Sequence, residues 1–346
     1  MIHPIVRRFF ASLSIAFVST LPPLPARAQP SPGLTSELSS CDVSEASRCD
    51  VAQPSARLIS EPVAATATPQ AGGFTHGLLW KIETPRDSSS ADTTSDYLFG
   101  TMHSDDPQIT IVPEPVQHAL TASDSFCMEM VPDTEAMMSM GKSMLLADGK
   151  TLPAVVGEKL FEQLTPLMMK RGIPAQALAM FKPWAVFLTL TVPPQKTGMF
   201  LDLVLYESAK QQDKLLCGLE TAEEQTRIFE ETPLADQILL LEQIVKDPDA
   251  VDTQLAQLTA RYLAHDIGGL LALSREFDDE TLEERKSAEA FMRRLIDDRN
   301  VSMVERMLPR LRQESAFIAV GALHLPGEKG ILQLLTERGY TVSAVY

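Results

Sequence analysis

The chain has 346 residues, of which 45% are hydrophobic, 22% charged and 6% aromatic. That is a globular mixture with enough apolar material for a sizeable core, and it excludes collagen-like, coiled-coil and wholly disordered classes. Thirty basic residues against 46 acidic ones give a net charge of −16, which disfavours nucleic acid and anionic lipid as general partners.

In chain order, Arg7 and Arg8 precede an apolar run from Phe9 to Leu21. Pro22, Pro23 and Pro25 follow, then Ala26-Arg27-Ala28. This is the order of a secretory signal peptide over 1–28, cleaved near Ala28, with an apolar run too short to span a membrane comfortably. Its loss removes three arginines and leaves 27 basic against 46 acidic residues. The expected location is therefore exported, periplasmic or secreted, with no transmembrane segment in the mature chain. Residues 29–75, rich in Pro, Ser, Ala and Thr, carry no apolar period and read as a disordered tail. Cys41 and Cys49 lie within this tail, where an oxidising compartment allows a local disulfide.

The folded domain is expected over 76–346. Gly77–Glu83 and Asp96–His103 read as strands, Pro113–Ser123 as a helix opened by proline, and Ser125–Val131 as a third strand. Apolar residues at three- and four-residue spacing predict helices over Pro153–Lys170, Lys182–Thr191 and Phe200–Gln212. Lys214–Glu220 reads as a strand. Helices are expected again over Pro233–Lys246, Asp252–His265, Ile267–Arg275 and Leu282–Gln313, the last broken near Asp297–Asn300. Ser315–His324 is nearly all apolar, as a strand covered on both faces should be. Gly327–Gly330 opens a helix that stops at Arg338-Gly339, and Thr341–Tyr346 is a closing strand. The fold class is α/β (α+β): a central mixed sheet with covering helices and a helical insertion. Cys127 and Cys217 both fall in strands expected to be buried. Packed free thiols are the simpler reading and a bridge between them the alternative.

One pattern occurs twice. Gly100-Thr101-Met102-His103 ends the second strand, and Gly321-Ala322-Leu323-His324 ends the penultimate one. The repetition suggests an internal duplication whose halves meet at one site. In open α/β sheets, ligands bind beyond the carboxyl ends of strands, where a histidine faces the crevice. Two histidines there suit metal binding or acid–base work, and ordinary histidines satisfied by carbonyls are the plainer alternative. Glu129, set in the apolar run Phe126–Val131, is the best candidate for a third metal ligand or a base. Glu220 closes its strand in the same way. Arg299 and Asn300 are candidates for an electrostatic clamp and a hydrogen bond to substrate. His76, His118 and His265 rank lower. Met128, Met130, Met137, Met138, Met140 and Met144 offer a thioether site for Cu(I), set against ordinary core filling.

At these residues the chain resembles the TraB/GumN family, related to the Tiki proteins. The resemblance is carried by Gly77-Leu78-Leu79-Trp80-Lys81-Ile82-Glu83, Tyr97-Leu98-Phe99-Gly100-Thr101-Met102-His103 and the strand with Glu129. It continues through Lys182-Pro183-Trp184, Asp202 with Ala209, and Gly218-Leu219-Glu220-Thr221. Arg299-Asn300 and Val320 to Glu328 complete it. The resemblance implies a central sheet with a helical insertion in which both Gly-x-x-His motifs meet. It further implies a metal-dependent protease site with metal ligands His103, His324 and Glu129, and with Glu220, Arg299 and Asn300 nearby. The expected activity is a peptidase-like hydrolase using Mn²⁺, Co²⁺ or Zn²⁺ on a peptide or protein substrate. The alternative is a non-catalytic peptide- or glycan-binding envelope protein of the same fold.

Overall fold

The computed structural model describes residues 73–84, 95–192, 196–275, 282–313 and 315–346. The expected signal peptide, nearly all of the expected tail, and Cys41 and Cys49 lie outside the described residues. Six strands form one mixed sheet: β1 (Leu79–Glu83), β2 (Asp96–Thr101), β3 (Ser125–Met128), β4 (Leu215–Gly218), β5 (Ala316–Gly321) and β6 (Thr341–Ala344). Their spatial order is β4-β3-β5-β2-β1-β6. Strands β4, β3, β5 and β2 are mutually parallel, and β1 runs antiparallel to both β2 and β6. The mixed sheet expected from the sequence is therefore present.

Strand β5 sits in the middle of the parallel set, and all six of its residues are buried. Its composition, Ala-Phe-Ile-Ala-Val-Gly, suits burial on both faces. Phe317 of β5 stacks on Phe126 of β3 at 6.1 Å and lies 6.2 Å from Phe99 of β2, so one aromatic row ties three neighbouring strands.

Most of the chain between β3 and β5 is helical. Pro183–Thr191 begins at a proline and is buried along all nine residues, with Trp184 stacked 5.4 Å from Phe229. Ala222–Glu230 starts at a capping box: the Thr221 side chain accepts from the Glu224 amide, and the Glu224 carboxylate accepts from the Thr221 amide. Arg306 donates to the Glu224 carboxylate at 2.5 and 2.7 Å and to the Leu219 carbonyl, fixing this cap beside the end of β4.

Several expectations need correction. The stretch Pro153–Lys170 is two helices, Leu152–Val156 and Glu158–Lys170, because Gly157 adopts a positive φ of 87° that ends one and begins the other. Helices Thr134–Ser143 and Ala222–Glu230 form where the sequence reading assigned none. Leu282–Gln313 is resolved into Leu282–Met292, a π-helical turn Arg293–Asp297, Asp298–Met307 and Arg310–Gln313. Strands β2, β3, β4 and β5 stop short of the polar residues that follow, so His103, Glu129, Glu220 and His324 stand just beyond the ladder. Strand β4 is the exposed edge of the sheet rather than a buried strand. Cys127 and Cys217 are directly paired across β3 and β4 and form a disulfide, with Cα atoms 4.5 Å apart. The bridge, and not the pair of free thiols, is the arrangement present, because the parallel register sets the two cysteines opposite each other. No helix among the described residues is long and apolar enough to cross a membrane.

Candidate functional site

Four neighbouring parallel strands end on the same edge of the sheet, about 4.8 Å apart. Each end delivers one polar residue: His103 after β2, His324 after β5, Glu129 after β3 and Glu220 after β4. Gly100 is required for this convergence. A Cβ there would stand 2.7 Å from Leu325 Cδ1 and 3.0 Å from Ala322 Cα, inside the turn that carries His324. The first Gly-x-x-His glycine therefore lets the second motif pack on it.

Helix Asp298–Met307 adds Arg299 and Asn300, both buried although adjacent. The π turn Arg293–Asp297 immediately precedes them, and its Leu295 carbonyl accepts from Arg299 Nη1 at 3.1 Å. Helix Leu201–Gln211 adds Asp202 from its second position.

These side chains form three sets of contacts. In the first, Arg299 donates to Glu220 through Nε at 2.8 and 3.1 Å and through Nη2 at 2.6 Å, and Nη2 also reaches Glu129 Oε2 at 2.6 Å. Glu129 Oε1 accepts from the Gly321 amide at 2.7 Å, and Gln225 donates to Glu220 at 3.2 Å. In the second, His103 Nδ1 meets Asp202 Oδ2 at 2.7 Å, and Thr101 Oγ1 donates to Asp202 Oδ1 at 2.6 Å. In the third, His324 Nδ1 meets Asn300 Oδ1 at 2.6 Å. The Asn300 amide donates to the Lys329 carbonyl at 2.8 Å and to the His324 carbonyl at 3.3 Å, which assigns its oxygen to the imidazole. In the neutral form both imidazoles therefore carry their proton on Nδ1, and both Nε2 atoms are buried without a hydrogen-bond partner. His324 Nε2 lies 3.6 Å from Glu129 Oε1.

The electrostatics separate the two histidines. For His103, burial works to lower the pKa, but the charge and hydrogen bond of Asp202, with Glu129 beyond, outweigh it and raise it. For His324, burial, Arg299 and His103 all act in the same direction and push the pKa well down, so this ring is neutral. Burial raises the Glu129 pKa against the opposing pull of Arg299, with Glu220 adding to the rise. Burial also opposes the charge on Arg299, but Glu220 and Glu129 overcome it and hold the guanidinium protonated.

No group of three His, Cys, Asp or Glu side chains among the described residues is gathered as a ready metal cage. The groups whose chemistry suits a cation are the two orphaned imidazole nitrogens of His103 and His324, with Glu129 Oε1 3.6 Å from His324 Nε2. Each ring's other nitrogen is fixed by a neighbour, the arrangement that orients histidine ligands. Glu129 has both oxygens engaged, Oε1 by the Gly321 amide and Oε2 by Arg299. Arg299 is committed to two carboxylates and does not project as a free clamp.

His103, His324, Glu129, Glu220, Arg299 and Asn300 therefore gather in one buried cluster. Two members, Thr101 and Asp202, were not assigned a role in that reading. Asp202 lies in Phe200-Leu201-Asp202-Leu203-Val204-Leu205, and a lone acid in such an apolar helix start was the available signal. The other histidines stay apart: His76 is exposed, His118 sits on an exposed helix face, and His265 packs its ring 4.3 Å from Tyr346. Met128, Met130, Met140 and Met144 are buried core residues, while Met138 is exposed, so the methionines do not share one environment.

A sequence model described as the TraB/PrgY/gumN family matches residues 78–344. The chain is 23% identical over 318 residues to a zebrafish (Danio rerio) protein named Metalloprotease TIKI2, covering 77% of this chain and 60% of that one. It is 25% identical over 327 residues to Metalloprotease TIKI1 of the same organism, covering 80% of this chain and 64% of that one. The match thus spans less than two thirds of the length of either curated relative. No solved structure matches the chain.

Proposed function

The chain belongs to the TraB/PrgY/gumN family, and from that premise we propose that it is an exported, metal-dependent hydrolase that cleaves peptide bonds. The observation that carries the reading is the pair of buried imidazoles, each with Nδ1 engaged and Nε2 unpartnered. His103 and His324 would hold one divalent cation, Mn²⁺, Co²⁺ or Zn²⁺, through those Nε2 atoms. Such a cation polarises a carbonyl and lowers the pKa of water. Glu129 Oε1, 3.6 Å from His324 Nε2, would take the proton of the attacking water. Burial raises its pKa toward the range in which a carboxylate is an effective base. Arg299 pins Glu129 against Glu220, and the Gly321 amide fixes its second oxygen, so the base is positioned before substrate arrives. Asn300 orients His324 rather than touching substrate.

Peptide-bond cleavage is supported by the names of the two relatives, both metalloproteases. Export is supported by the signal-like start of the sequence and by the Cys127–Cys217 disulfide, which suits an oxidising compartment. The test uses chelator-stripped protein with Mn²⁺, Co²⁺ or Zn²⁺ restored and a peptide library read by mass spectrometry. Cleavage that His103→Ala, His324→Ala and Glu129→Gln each abolish supports the reading. Variants as active as the parent refute it, and recovery of a bound peptide intact indicates a binding protein instead.

A further inference from the structure

Asp202 is 2% exposed, ionisable, and absent from the reaction as described above. An isolated buried carboxylate is costly, so its partners show what it is for. Both oxygens are taken by residues of one short segment: Oδ1 by the Thr101 hydroxyl at 2.6 Å and Oδ2 by His103 Nδ1 at 2.7 Å. Thr101 is the last residue of β2 and His103 follows two positions later, so one strand end supplies both the imidazole and the brace that sets the carboxylate plane. Asp202 itself comes from another element, the helix Leu201–Gln211. On the opposite ring, Asn300 occupies the equivalent place behind His324, but with a neutral oxygen. The two imidazoles thus have unlike backing, one anionic and one neutral. The ring of Phe200 meets His103 edge-on, with centroids 5.7 Å apart, and closes the apolar side.

We propose that Asp202, braced by Thr101, is a positioning residue that holds His103 in its Nδ1–H form and makes it the stronger of the two imidazole donors for a divalent cation. This deepens the metal-dependent reading and rests on it. An anion accepting from the far nitrogen raises the electron density at Nε2 and fixes the ring's direction. Asn300 fixes direction without adding charge.

The chain can be tested without any substrate. Co²⁺ is titrated into chelator-stripped full chain and followed by its visible absorption, while long-range ¹H–¹⁵N spectra of histidine-labelled apo-protein in alkaline buffer report the tautomers. Asp202→Asn keeps a neutral acceptor, because the Thr101 hydroxyl can turn to accept from the amide. It should weaken Co²⁺ binding about tenfold with the His103 Nδ1–H signal retained. Asp202→Ala removes the acceptor, and should weaken binding by up to about a hundredfold while an Nε2–H signal appears for His103. Asn300→Ala should cost less affinity than Asp202→Ala. Circular dichroism confirms that each variant is folded, and Thr101→Val serves if Asp202→Ala is not. That variant should lose a few-fold in affinity with the fold intact. An Nε2–H tautomer at His103 in the parent, or Asp202→Asn and Asp202→Ala binding Co²⁺ as tightly as the parent, overturns the proposal. A parent that binds no Co²⁺ yet shows His103 as Nδ1–H overturns the metal reading and the donor ranking, leaving only the tautomer assignment standing.

Discussion

Replacing Arg299 with methionine should expose how much of this cluster is held together by one guanidinium. Arg299 is 5% exposed and bonds two carboxylates, Glu129 at 2.6 Å and Glu220 at 2.6, 2.8 and 3.1 Å. Methionine fills comparable volume but leaves two buried acids facing each other without a cation. Breaking a buried ion pair from one side costs about 3–5 kcal/mol, far more than the pair gives over an apolar replacement of both partners. For a domain of this size that lowers the melting temperature on the order of 10 °C. The sign with pH follows from the carboxylates. Without Arg299 the folded-state pKa of Glu129 rises further above its unfolded value, so protonating it is favourable to the fold. The deficit should therefore be greatest at pH 8 and shrink as the pH falls toward about 5. In the parent the Glu129 pKa is already raised, first by burial, so its own contribution is complete below the unfolded carboxylate pKa and declines as the pH rises through the folded value. Thermal melts and urea unfolding of parent and variant, monitored by circular dichroism at several pH values, read both effects. Adding Glu220→Gln to Arg299→Met should recover part of the loss at neutral pH. A loss below about 1 kcal/mol at pH 8, or one that does not change with pH, would refute the reasoning.

Further outcomes follow from other parts of the fold. Cys127 and Cys217 are 90 positions apart in sequence, so replacing both with serine should cost about 2–5 kcal/mol, read as a lower urea midpoint; an unchanged midpoint contradicts the tether. Asp105 accepts from the Lys196 and Thr197 amides at 2.5 and 2.6 Å, so Asp105→Ala should speed hydrogen exchange at those two amides relative to the parent; equal rates would show that the carboxylate does not hold them. The Glu224 pKa is lowered to about 2, chiefly by hydrogen bonds from Arg306. A lowered carboxylate stabilises the fold above its unfolded pKa, and that contribution fades as the pH falls toward about 2. An NMR titration midpoint near the ordinary glutamate value would contradict this, and Arg306→Met should cost only about 1 kcal/mol because the pair is partly exposed.

The sequence made the sheet and its site legible for physical reasons. The apolar runs around Phe99, Phe126 and Phe317 marked strands buried on both faces, and polar residues at the ends of such runs marked the crevice. The two Gly-x-x-His repeats were visible because each histidine ends an apolar run, and Arg299-Asn300 stood out through the family resemblance. The parts that were not legible depend on contacts between distant segments. Whether Cys127 faces Cys217 is decided by the register of β3 against β4, which neither strand encodes alone. The pairing of Arg299 with Glu129 depends on the helix Asp298–Met307 crossing the ends of β3 and β4. The split at Gly157 and the π turn before Arg299 are backbone events that apolar spacing does not report. Asp202 carried part of the family resemblance but no role, and its meaning came only from the strand end packed against it.

Metal content tests the central claim most directly. The full chain, purified without a metal-affinity column and desalted after exposure to equimolar Mn²⁺, Co²⁺ and Zn²⁺, is analysed by mass spectrometry of the elements beside the His103→Ala/His324→Ala double variant and Glu129→Gln. The account predicts close to one divalent ion per chain in the parent and in Glu129→Gln, and essentially none in the folded double variant. Equal metal in the parent and the double variant, or none in the parent, would contradict it.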